Sequence, residues 1–367
     1  MILPVLFYVF VVTTAILIIY YLCFSTFIFH SDTEKNTSSV PISVIICAKN
    51  EAENLQKFLP AIINQKYPNF EIVLINDASS DDTLKIMEAF QQENPFIKIV
   101  NVKNVEAFWG NKKYALTLGI KAAKNEHLLF IDADCTPNSS YWIQKMSSQF
   151  TKEKSIVLGY GKYQPKKYSL INLLVRFETL ITAIQYFSSA KLGSPYMAVG
   201  RNLAYKKSEF FKVKGFVNHI NIRSGDDDLF IQDAANKFNT TICTSKKSFT
   251  FSEAPKTLNE WFRQKRRHLS TASYYRKRHQ FFLGLFYISK VLFYLTSISL
   301  FFLYPWQTIL PIVVGYFAIQ YIIIGLSAKK LEETQIMYFF PFLEIFLMLF
   351  QFAIFIANSV SKPTHWK

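Results

Sequence analysis

The chain has 367 residues, 50% of them hydrophobic, and a formal net charge of +15. This length accommodates one domain of ordinary size plus appendages. The four cysteines form no Cys-x-x-Cys pair, which argues against a zinc site or a disulfide framework and fits a reducing cytosol. They are Cys23, Cys47, Cys135 and Cys243.

The amino-terminal segment has the pattern of a membrane anchor. Ile2 to Phe29 carries no charge over 28 residues, which exceeds the roughly 20 residues that span a bilayer. The segment lacks a basic start and an Ala-x-Ala cleavage site, so an anchor is favoured over a signal peptide. We therefore expect a transmembrane anchor at residues 1–30, followed by a polar linker from Ser31 to Ser39.

Apolar strands alternate with helices over the next part of the chain, and short polar loops join them. This alternation predicts an α/β domain, residues 40–255, with a doubly wound and mostly parallel sheet. The predicted strands are Ile42–Cys47, Phe70–Ile75, Ile97–Asn101 and Leu128–Ile131, with helices after the first two and over Lys112–Ala123.

The pattern loosens after residue 135. Leu170 to Ala190 has a long apolar stripe with few charges, and we expect an amphipathic or buried helix there. The other predicted elements are a helix over Tyr141–Phe150, a strand over Ile156–Gly161, a strand and turn over Tyr196–Ala204, and a helix from Ser224 to about Lys237.

The carboxyl-terminal part, residues 281–360, predicts two to three further transmembrane helices. Two spans are expected at Phe281–Leu303 and Thr308–Ser327. The third apolar segment, Ile336–Ser359, contains Pro341 and Glu344. Because an intramembrane glutamate is costly, a re-entrant or tilted element is an alternative to a crossing there.

Residues 256–280 form a basic juxtamembrane segment. Such a collar suits anionic lipid head groups and places its side of the membrane in the cytosol. No nucleic-acid-binding motif accompanies it, so nucleic acid is not an expected partner. Three crossings after a cytosolic domain would place Lys362, His365 and Lys367 outside, against the positive-inside tendency, and the topology stays open. The basic residues are Lys256, Arg263, Lys265, Arg266, Arg267, Arg276, Lys277 and Arg278.

Two carboxylates follow the buried fourth strand. Asp132 and Asp134 should lie at its carboxyl end, where open α/β sheets bind ligands. A pair of carboxylates there suits a hard divalent cation together with phosphate oxygens of a substrate. The alternative is a strand followed by a capping aspartate before Pro137.

Other polar groups should gather at the same edge of the sheet. They come from Ala48–Glu51, from Asp77 and from Asp226–Asp228, and clustered acids need a cation among them. Asp77 is expected to contact a base or ribose, with a helix N-cap as the alternative. Lys112 is expected to neutralise a phosphate, with a solvated lysine as the alternative.

The spaced set of motifs resembles a membrane-bound family-2 glycosyltransferase with a GT-A fold, over roughly Val40 to Ser270. The motifs that carry the resemblance are Val44–Glu51, Ile75–Thr83, Lys112–Leu116, Phe130–Asp134, Gly225–Leu229 and Gln264–His268.

The resemblance implies a nucleotide-diphosphate sugar as donor and a divalent cation, Mg²⁺ or Mn²⁺, held by Asp132 and Asp134. It implies that Lys112 contacts the phosphate side and that Gln264, Arg267 and His268 cover the donor and acceptor site. The nucleotide would be contacted by Ala48, Asn50, Glu51 and Asp77.

The acidic cluster would supply the catalytic base of an inverting transfer. The family often has Glu-Asp where this chain has Gly225-Asp226. Counting back from Leu229 favours Asp226 as the base, with Asp227 second and Asp228 as a cap or structural contact. All three are expected to open a helix, whose dipole helps to keep nearby carboxylates ionised.

His268 stands where the family's Gln-x-x-Arg-Trp motif has tryptophan. The substitution, together with few carboxyl-terminal spans, favours addition of one or a few sugars to a membrane lipid or lipid-linked acceptor at the cytosolic face. A processive polysaccharide synthase and a catalytically inactive GT-A membrane scaffold are the alternatives. An intact acidic set argues against the scaffold, which has no use for clustered charge.

Overall fold

The computed structural model describes residues 2–32, 39–103, 112–222 and 224–361. Most of the predicted linker, residues 33–38, and the basic residues Lys362, His365 and Lys367 lie outside them. The helices are α1 Ile2–Phe24, α2 Ala52–Ile63, α3 Thr83–Glu93, α4 Lys112–Ala122, α5 Trp142–Ser147, α6 Leu170–Lys191, α7 Lys207–Lys212, α8 Asp228–Ala234, α9 Leu258–Ser270, α10 Lys277–Leu303, α11 Trp306–Lys330 and α12 Phe340–Val360. The strands are β1 Ile42–Ala48, β2 Phe70–Asp77, β3 Ile97–Val102, β4 His127–Phe130, β5 Cys135–Pro137, β6 Ile156–Leu158, β7 Gly161–Tyr163, β8 Leu203–Lys206, β9 Thr240–Ile242 and β10 Thr250–Ser252.

Seven strands form the central sheet in the order β3-β2-β1-β4-β8-β6-β9. The first four in this order run parallel, as expected, while β8 is antiparallel to both β4 and β6. Ile45 of β1 pairs with Phe130 of β4, so the end of β1 lies level with Asp132. The register thus brings the loops after β1, β2 and β4 to one edge.

Both faces of the sheet are covered, which explains the continuous apolar runs of its strands. Ile42, Val44 and Ile46 of β1 face one core cluster, which α2 completes with Leu55 and Leu59. Ile45 faces the other cluster, which continues through α4 and α6 into the apolar helices. A three-stranded sheet, β5-β10-β7, flanks the central one just after the Asp pair.

Three predicted elements differ from the structure. The strand expected over Ile156–Gly161 divides into β6 and β7 in different sheets. It bends at Gly159, whose N–H donates to the carbonyl of Asn202, and a Cβ there would lie 2.5 Å from Asn202 Cγ. In the segment expected to start a strand at Tyr196, the Tyr196 carbonyl instead accepts from the Gln232 side chain, and β8 begins only at Leu203.

The third difference concerns the helix expected from Ser224 to about Lys237, which is only α8, Asp228–Ala234. Gly225 has φ +80°, a left-handed conformation that cannot continue into a helix. At the other end, the Asn239 amide donates to the carbonyl of Ala234 and ends the helix. Asp226 and Asp227 therefore precede the helix instead of opening it.

Five helical segments of the described residues are long and apolar enough to cross a membrane: α1, α6, α10, α11 and the segment Thr334–Val360. The predicted anchor and carboxyl-terminal spans are thus found as helices. α6 differs from the others because 67% of its most apolar window is buried inside the protein. It packs between the sheet and the other apolar helices, as the buried-helix prediction required.

Candidate functional site

A cleft of about 360 Å³ opens at the carboxyl edge of the parallel strands. Apolar side chains form much of its lining, and charged groups from three separate parts of the chain line it as well. The polar or charged lining residues are Cys47, Lys112, Asp132, Asp226 and Asp227. The predicted convergence of strand ends is therefore present around this cleft.

Lys112 connects two of the predicted motifs. Its Nζ lies 3.1 Å from Asp132 Oδ1 and 3.2 Å from Asp226 Oδ2. Burial opposes the charge, but the two carboxylates raise the pKa of Lys112 well above its ordinary value. The alternative of a solvated lysine is wrong, since this side chain is only 19% exposed.

Asp132 and Asp134 form a donor set for a hard cation. Oxygen atoms of both and the Cys135 sulfur lie within 4.8 Å of one another. Desolvation in the cleft and repulsion from Asp132 raise the pKa of Asp134, although its side chain is exposed. Burial raises the pKa of Cys135 well above its ordinary range, so the thiol stays protonated. Two repelling carboxylates beside a neutral thiol fit Mg²⁺ or Mn²⁺ better than a thiophilic metal.

The loop after β1 meets the loop after β2. Asn50 has φ +55°, and its side-chain oxygen accepts from the Ser80 N–H at 2.8 Å. The Asn50 side chain therefore joins the two loops, a structural role the sequence did not indicate. Asp81 accepts from the N–H groups of Thr83 and Ala52, and the N-cap position of α3 is occupied by Asp82 and not by Asp77.

Asp77 is left available at the end of β2, next to Ala48 of the neighbouring strand. It is 7% exposed, and burial raises its pKa despite the nearby Lys49 and Lys112 ammonium groups. Glu51 accepts from the Asn54 side chain at 2.5 Å. Asp77 and Glu51 remain the side chains of this corner that suit a nucleoside.

The three consecutive aspartates have three different environments. Asp226 pairs with Lys112, and this ammonium lowers the pKa of Asp226 against the opposing effect of burial. Asp227 accepts from the N–H groups of Gly200 at 2.7 Å and Asp228 at 2.8 Å. Burial and the Asp226 charge still raise the pKa of Asp227 to about 6. Asp226 is therefore the more fully ionised of the two at neutral pH.

Asp228 faces away from this arrangement and holds the chain together. Its Oδ2 accepts from the Tyr275 hydroxyl at 2.6 Å and from the Thr271 hydroxyl at 3.2 Å. Burial and the Asp227 charge raise the pKa of Asp228 well above its ordinary value. Asp227 is thus the N-cap of α8, and Asp228 is a structural contact to the segment after α9.

Helix α9 brings the predicted Gln264, Arg267 and His268 to the same region. The Arg267 guanidinium lies within electrostatic range of Asp226 and Asp132, although burial lowers its pKa. Desolvation and neighbouring cations lower the pKa of His268 well below its ordinary value, so its imidazole is neutral. Gln264 Oε1 is buried without a hydrogen-bond partner among the described residues, an acceptor that a bound ligand would satisfy.

Two residues of the site were missed by the sequence reasoning. Lys113 is 1% exposed and donates to the carbonyls of His219 and Ile222, and burial lowers its pKa to about 8. Arg201 lies 4.3 Å from the Tyr163 ring centroid, donates to Ser252, and faces the charge of Asp134. Two features of the sequence could have indicated these residues: the adjacent lysines Lys112 and Lys113, and the Gly200-Arg201-Asn202 turn between two apolar runs.

Residues 43–209 match the family model described as Glycosyl transferase family 2. A poly-beta-1,6-N-acetyl-D-glucosamine synthase of Staphylococcus epidermidis is 31% identical over 161 residues, 40% of this chain and 37% of the synthase. The probable glycosyltransferase YdaM of Bacillus subtilis is 27% identical over 240 residues, 64% of this chain and 56% of YdaM. The matched part of the chain thus spans 37% of the synthase and 56% of YdaM.

The mannosyltransferase PcManGT of Pyrobaculum calidifontis, solved with GDP-Man and Mn²⁺, has a similar fold. Its TM-score is 0.58 at 13% identity, over 92% of this chain and 97% of that one. This similarity shows a GT-A-like fold that extends beyond the sheet to most of the chain.

Proposed function

Since this chain carries a glycosyltransferase family 2 domain within an integral membrane protein, we propose that it transfers a sugar from a nucleotide-diphosphate donor to a lipid or lipid-linked acceptor. The observation that carries the proposal is the Lys112 bridge between Asp132 and Asp226. It joins the candidate donor side of the cleft to the candidate acceptor side. One relative is named as a polymer synthase and another as a probable glycosyltransferase. The experiment below distinguishes these two activities in this chain.

The donor would lie along the edge of the sheet. Asp77, Glu51 and Ala48 would contact its nucleoside, and Lys112 its phosphates. A divalent cation held by Asp132 and Asp134 would supply positive charge for the leaving diphosphate. Gln264, Arg267 and His268 would close the cleft from α9, with the Arg267 guanidinium adding a cation near the diphosphate.

Asp226 would act as the base of an inverting transfer. The acceptor hydroxyl oxygen bonds to the anomeric carbon, its proton passes to an Asp226 oxygen, and the bond from that carbon to the diphosphate oxygen breaks. Lys112 keeps Asp226 ionised for this role. Asp227, whose two oxygens already accept backbone N–H groups, is the second candidate.

We place the catalytic domain on the cytosolic face of the plasma membrane. The basic segment 256–280 precedes α10 and includes its first turn, and Lys and Arg at the end of a span favour the cytosolic side. Nucleotide sugars are made in the cytosol, so this placement also gives the cleft access to its donor.

A processive polysaccharide synthase is the second candidate, because the relative from S. epidermidis is named as one. His268 in place of the motif tryptophan favours a short product. An inactive scaffold accounts poorly for carboxylates whose pKa values are moved in opposite directions within one cleft.

Membranes containing the protein, incubated with a panel of radiolabelled nucleotide sugars, test both candidates. A labelled lipid carrying one or a few sugars supports the proposal, whereas a long polymer supports the synthase. Chelation of divalent cations should stop either reaction, and readdition of Mg²⁺ or Mn²⁺ should restore it. Absence of transfer from every donor, with purified protein that is folded, would contradict an enzymatic role.

A further inference from the structure

Helix α12 has the length of a membrane span but not the contacts of one. Its 21 residues extend over about 31 Å, enough to cross a hydrocarbon core. A crossing helix has its two ends on opposite sides of the membrane. Both ends of α12 instead contact elements that belong to the catalytic domain.

The beginning of α12 is tied to the sheet side of the protein. Glu333, which precedes the helix, is 1% exposed and pairs with Arg176 of α6 and, at 3.7 Å, with Lys162 of β7. The Phe340 ring, at the start of α12, lies 5.9 Å from the ring of Phe177 in α6. These contacts hold the start of the helix against the domain.

The end of α12 is tied to α9, the helix that carries Gln264, Arg267 and His268. The Arg266 guanidinium donates to the Ala357 carbonyl at 3.0 Å and to Asn358 Oδ1 at 3.0 Å. The Asn358 amide donates back to the Arg266 carbonyl at 3.1 Å. Arg266 thereby adds a second donor to the Ala357 carbonyl of the last helical turn, which also accepts from the Ser361 N–H at 3.0 Å, and it places a cation at the negative end of the helix dipole.

The middle of α12 continues the same contact. Trp261 of α9 is fully buried, and its ring stacks on Phe350 with centroids 4.0 Å apart. Lys265 of α9 in turn reaches Glu178 of α6 at 2.5 Å. α6, α9 and α12 are therefore joined to one another through these contacts.

We propose that α12 does not cross the membrane but lies in the interfacial region of the leaflet that faces the catalytic domain. Its outer stripe follows the spacing of one helical face, and each of its side chains is 45–59% exposed. In this placement lipid acyl chains cover the stripe, because they also cover the exposed apolar side chains of the neighbouring α10 and α11. The stripe consists of Phe342, Ile345, Leu349, Phe352 and Ile356.

The placement also accounts for a buried charge. Glu344 accepts from the Tyr294 hydroxyl at 3.2 Å and pairs with Lys290 of α10 at 3.0 Å. In this placement the pair is enclosed between α12 and α10, with side chains only 11% and 2% exposed, so neither charge faces the acyl chains and the cost of burying them is reduced. The proposed placement is therefore a specific form of the re-entrant or tilted element that Pro341 and Glu344 indicated.

The topology follows directly. Of the candidate spans in the described residues, α1, α10 and α11 cross, and Ser361 lies on the same side as the catalytic domain. This removes the conflict with the positive-inside tendency that a third carboxyl-terminal crossing would create. This inference rests on contacts and not on the proposed sugar transfer, so its tests need no activity.

The side of the membrane is tested with single cysteines in a background whose native cysteines are replaced. A cysteine appended after Lys367 should react with an impermeant maleimide like Glu88→Cys on the exposed face of α3. Its pattern of reaction in intact and in broken cells should differ from that of Gln307→Cys, which lies in the turn between α10 and α11. A reaction pattern like that of Gln307→Cys would overturn the proposal.

The depth of the helix is tested in reconstituted vesicles with a fluorophore on Phe342→Cys, Leu349→Cys or Ile356→Cys and lipid-attached quenchers. Val314→Cys, on the exposed side of α11, marks the depth of a crossing helix. We expect Leu349→Cys to be no deeper than Phe342→Cys and clearly shallower than Val314→Cys. A crossing helix would instead make Leu349→Cys the deepest of the three. A fluorescent protein fused after Lys367 of the unmodified chain repeats the topology test should the cysteine background fail to fold.

Discussion

The sheet-edge cleft and the apolar helix bundle both bury charged side chains, but they balance them differently. In the bundle, Glu344 is matched by Lys290 and receives hydrogen bonds from Tyr294 and Gln320. In the described part of the cleft, carboxylates lie beside one another, and the cations near them do not cancel the repulsion. Burial and Asp132 raise the pKa of Asp134 against the effect of Arg201, and burial and Asp226 raise the pKa of Asp227 against the effect of Lys112, so these carboxylates are unbalanced.

The difference separates structural charge from functional charge. A balanced buried pair is costly to form and costly to break, so it fixes how helices meet. An unbalanced group of carboxylates is costly until a cation joins it, so it favours ligand binding. Substitution of an acid should therefore affect mainly activity in the unbalanced set and mainly stability in the balanced set.

The largest effect is expected from removing a carboxylate of the unbalanced set that faces the cation. Asp134→Ala should lower transfer by at least about 10²–10³-fold, because the leaving diphosphate loses the charge that stabilises it. The melting temperature should be unchanged or higher, since an exposed and repelled carboxylate is lost. Initial rates and thermal unfolding in detergent measure the two effects. Full activity in this variant, or in chelator, would refute the metal assignment.

The second prediction concerns the base. Asp226→Asn keeps shape but cannot accept the acceptor proton, and we expect a loss of about 10²–10⁴-fold in kcat with donor affinity retained. Asp233→Asn, on the same short helix but paired with His219, is the matched control and should be near normal. If Asp226→Asn and Asp227→Asn both turn over normally, neither carboxylate is the base.

The third prediction addresses the balanced set. Lys290→Met leaves Glu344 buried without its cation and should cost about 3–5 kcal/mol of unfolding free energy. Adding Glu344→Leu to this variant should recover most of the loss. The donor KM should stay unchanged in the molecules that remain folded. A destabilised single variant with an altered donor KM would mean that the two regions are coupled.

The smallest expected effect is on pH dependence. The pKa of Asp227 is raised to about 6 in the folded protein, above its ordinary value of 3.8. Between those values the folded state binds more protons than the unfolded state, so stability should fall as pH rises from about 4 to 6. The loss is on the order of 1–3 kcal/mol. Thermal unfolding of the metal-free protein, with Asp227→Asn as comparison, should show a flatter profile in the variant.

The architecture of the domain could be predicted because its cause is local. An apolar run as short as Leu128–Ile131 between helices favours a strand, and the ends of neighbouring parallel strands meet at one edge of the sheet. For this reason the positions of Asp77 and Asp132 at one edge were correct. The shorter α8 was missed because Gly225 was not seen as a left-handed residue and Asn239 was not seen as a cap.

The contacts that join distant segments were beyond sequence reasoning. Lys113 holds carbonyls at 219 and 222, and Arg266 holds the end of α12, about 90 positions further on. No periodicity or spacing in a single sequence indicates that these residues will meet. α12 also shows that length and hydropathy describe what a helix is able to do, while its two ends decide where it lies.

Gly225 bears on how this chain should be compared with the glycosyltransferases whose family model it matches. A Cβ at this position would lie 2.9 Å from Leu229 Cγ and 3.0 Å from Thr271 Cγ2, on a backbone with φ +80°. The glutamate of the common Glu-Asp pair cannot be grafted here without rebuilding the turn. An alignment that matches letters would therefore slip by one residue and give the catalytic label to Asp227. Anchoring the alignment on Leu229 instead keeps the label on Asp226, and variant libraries or engineered chimaeras of this enzyme should exchange the whole turn from Ser224 to Leu229.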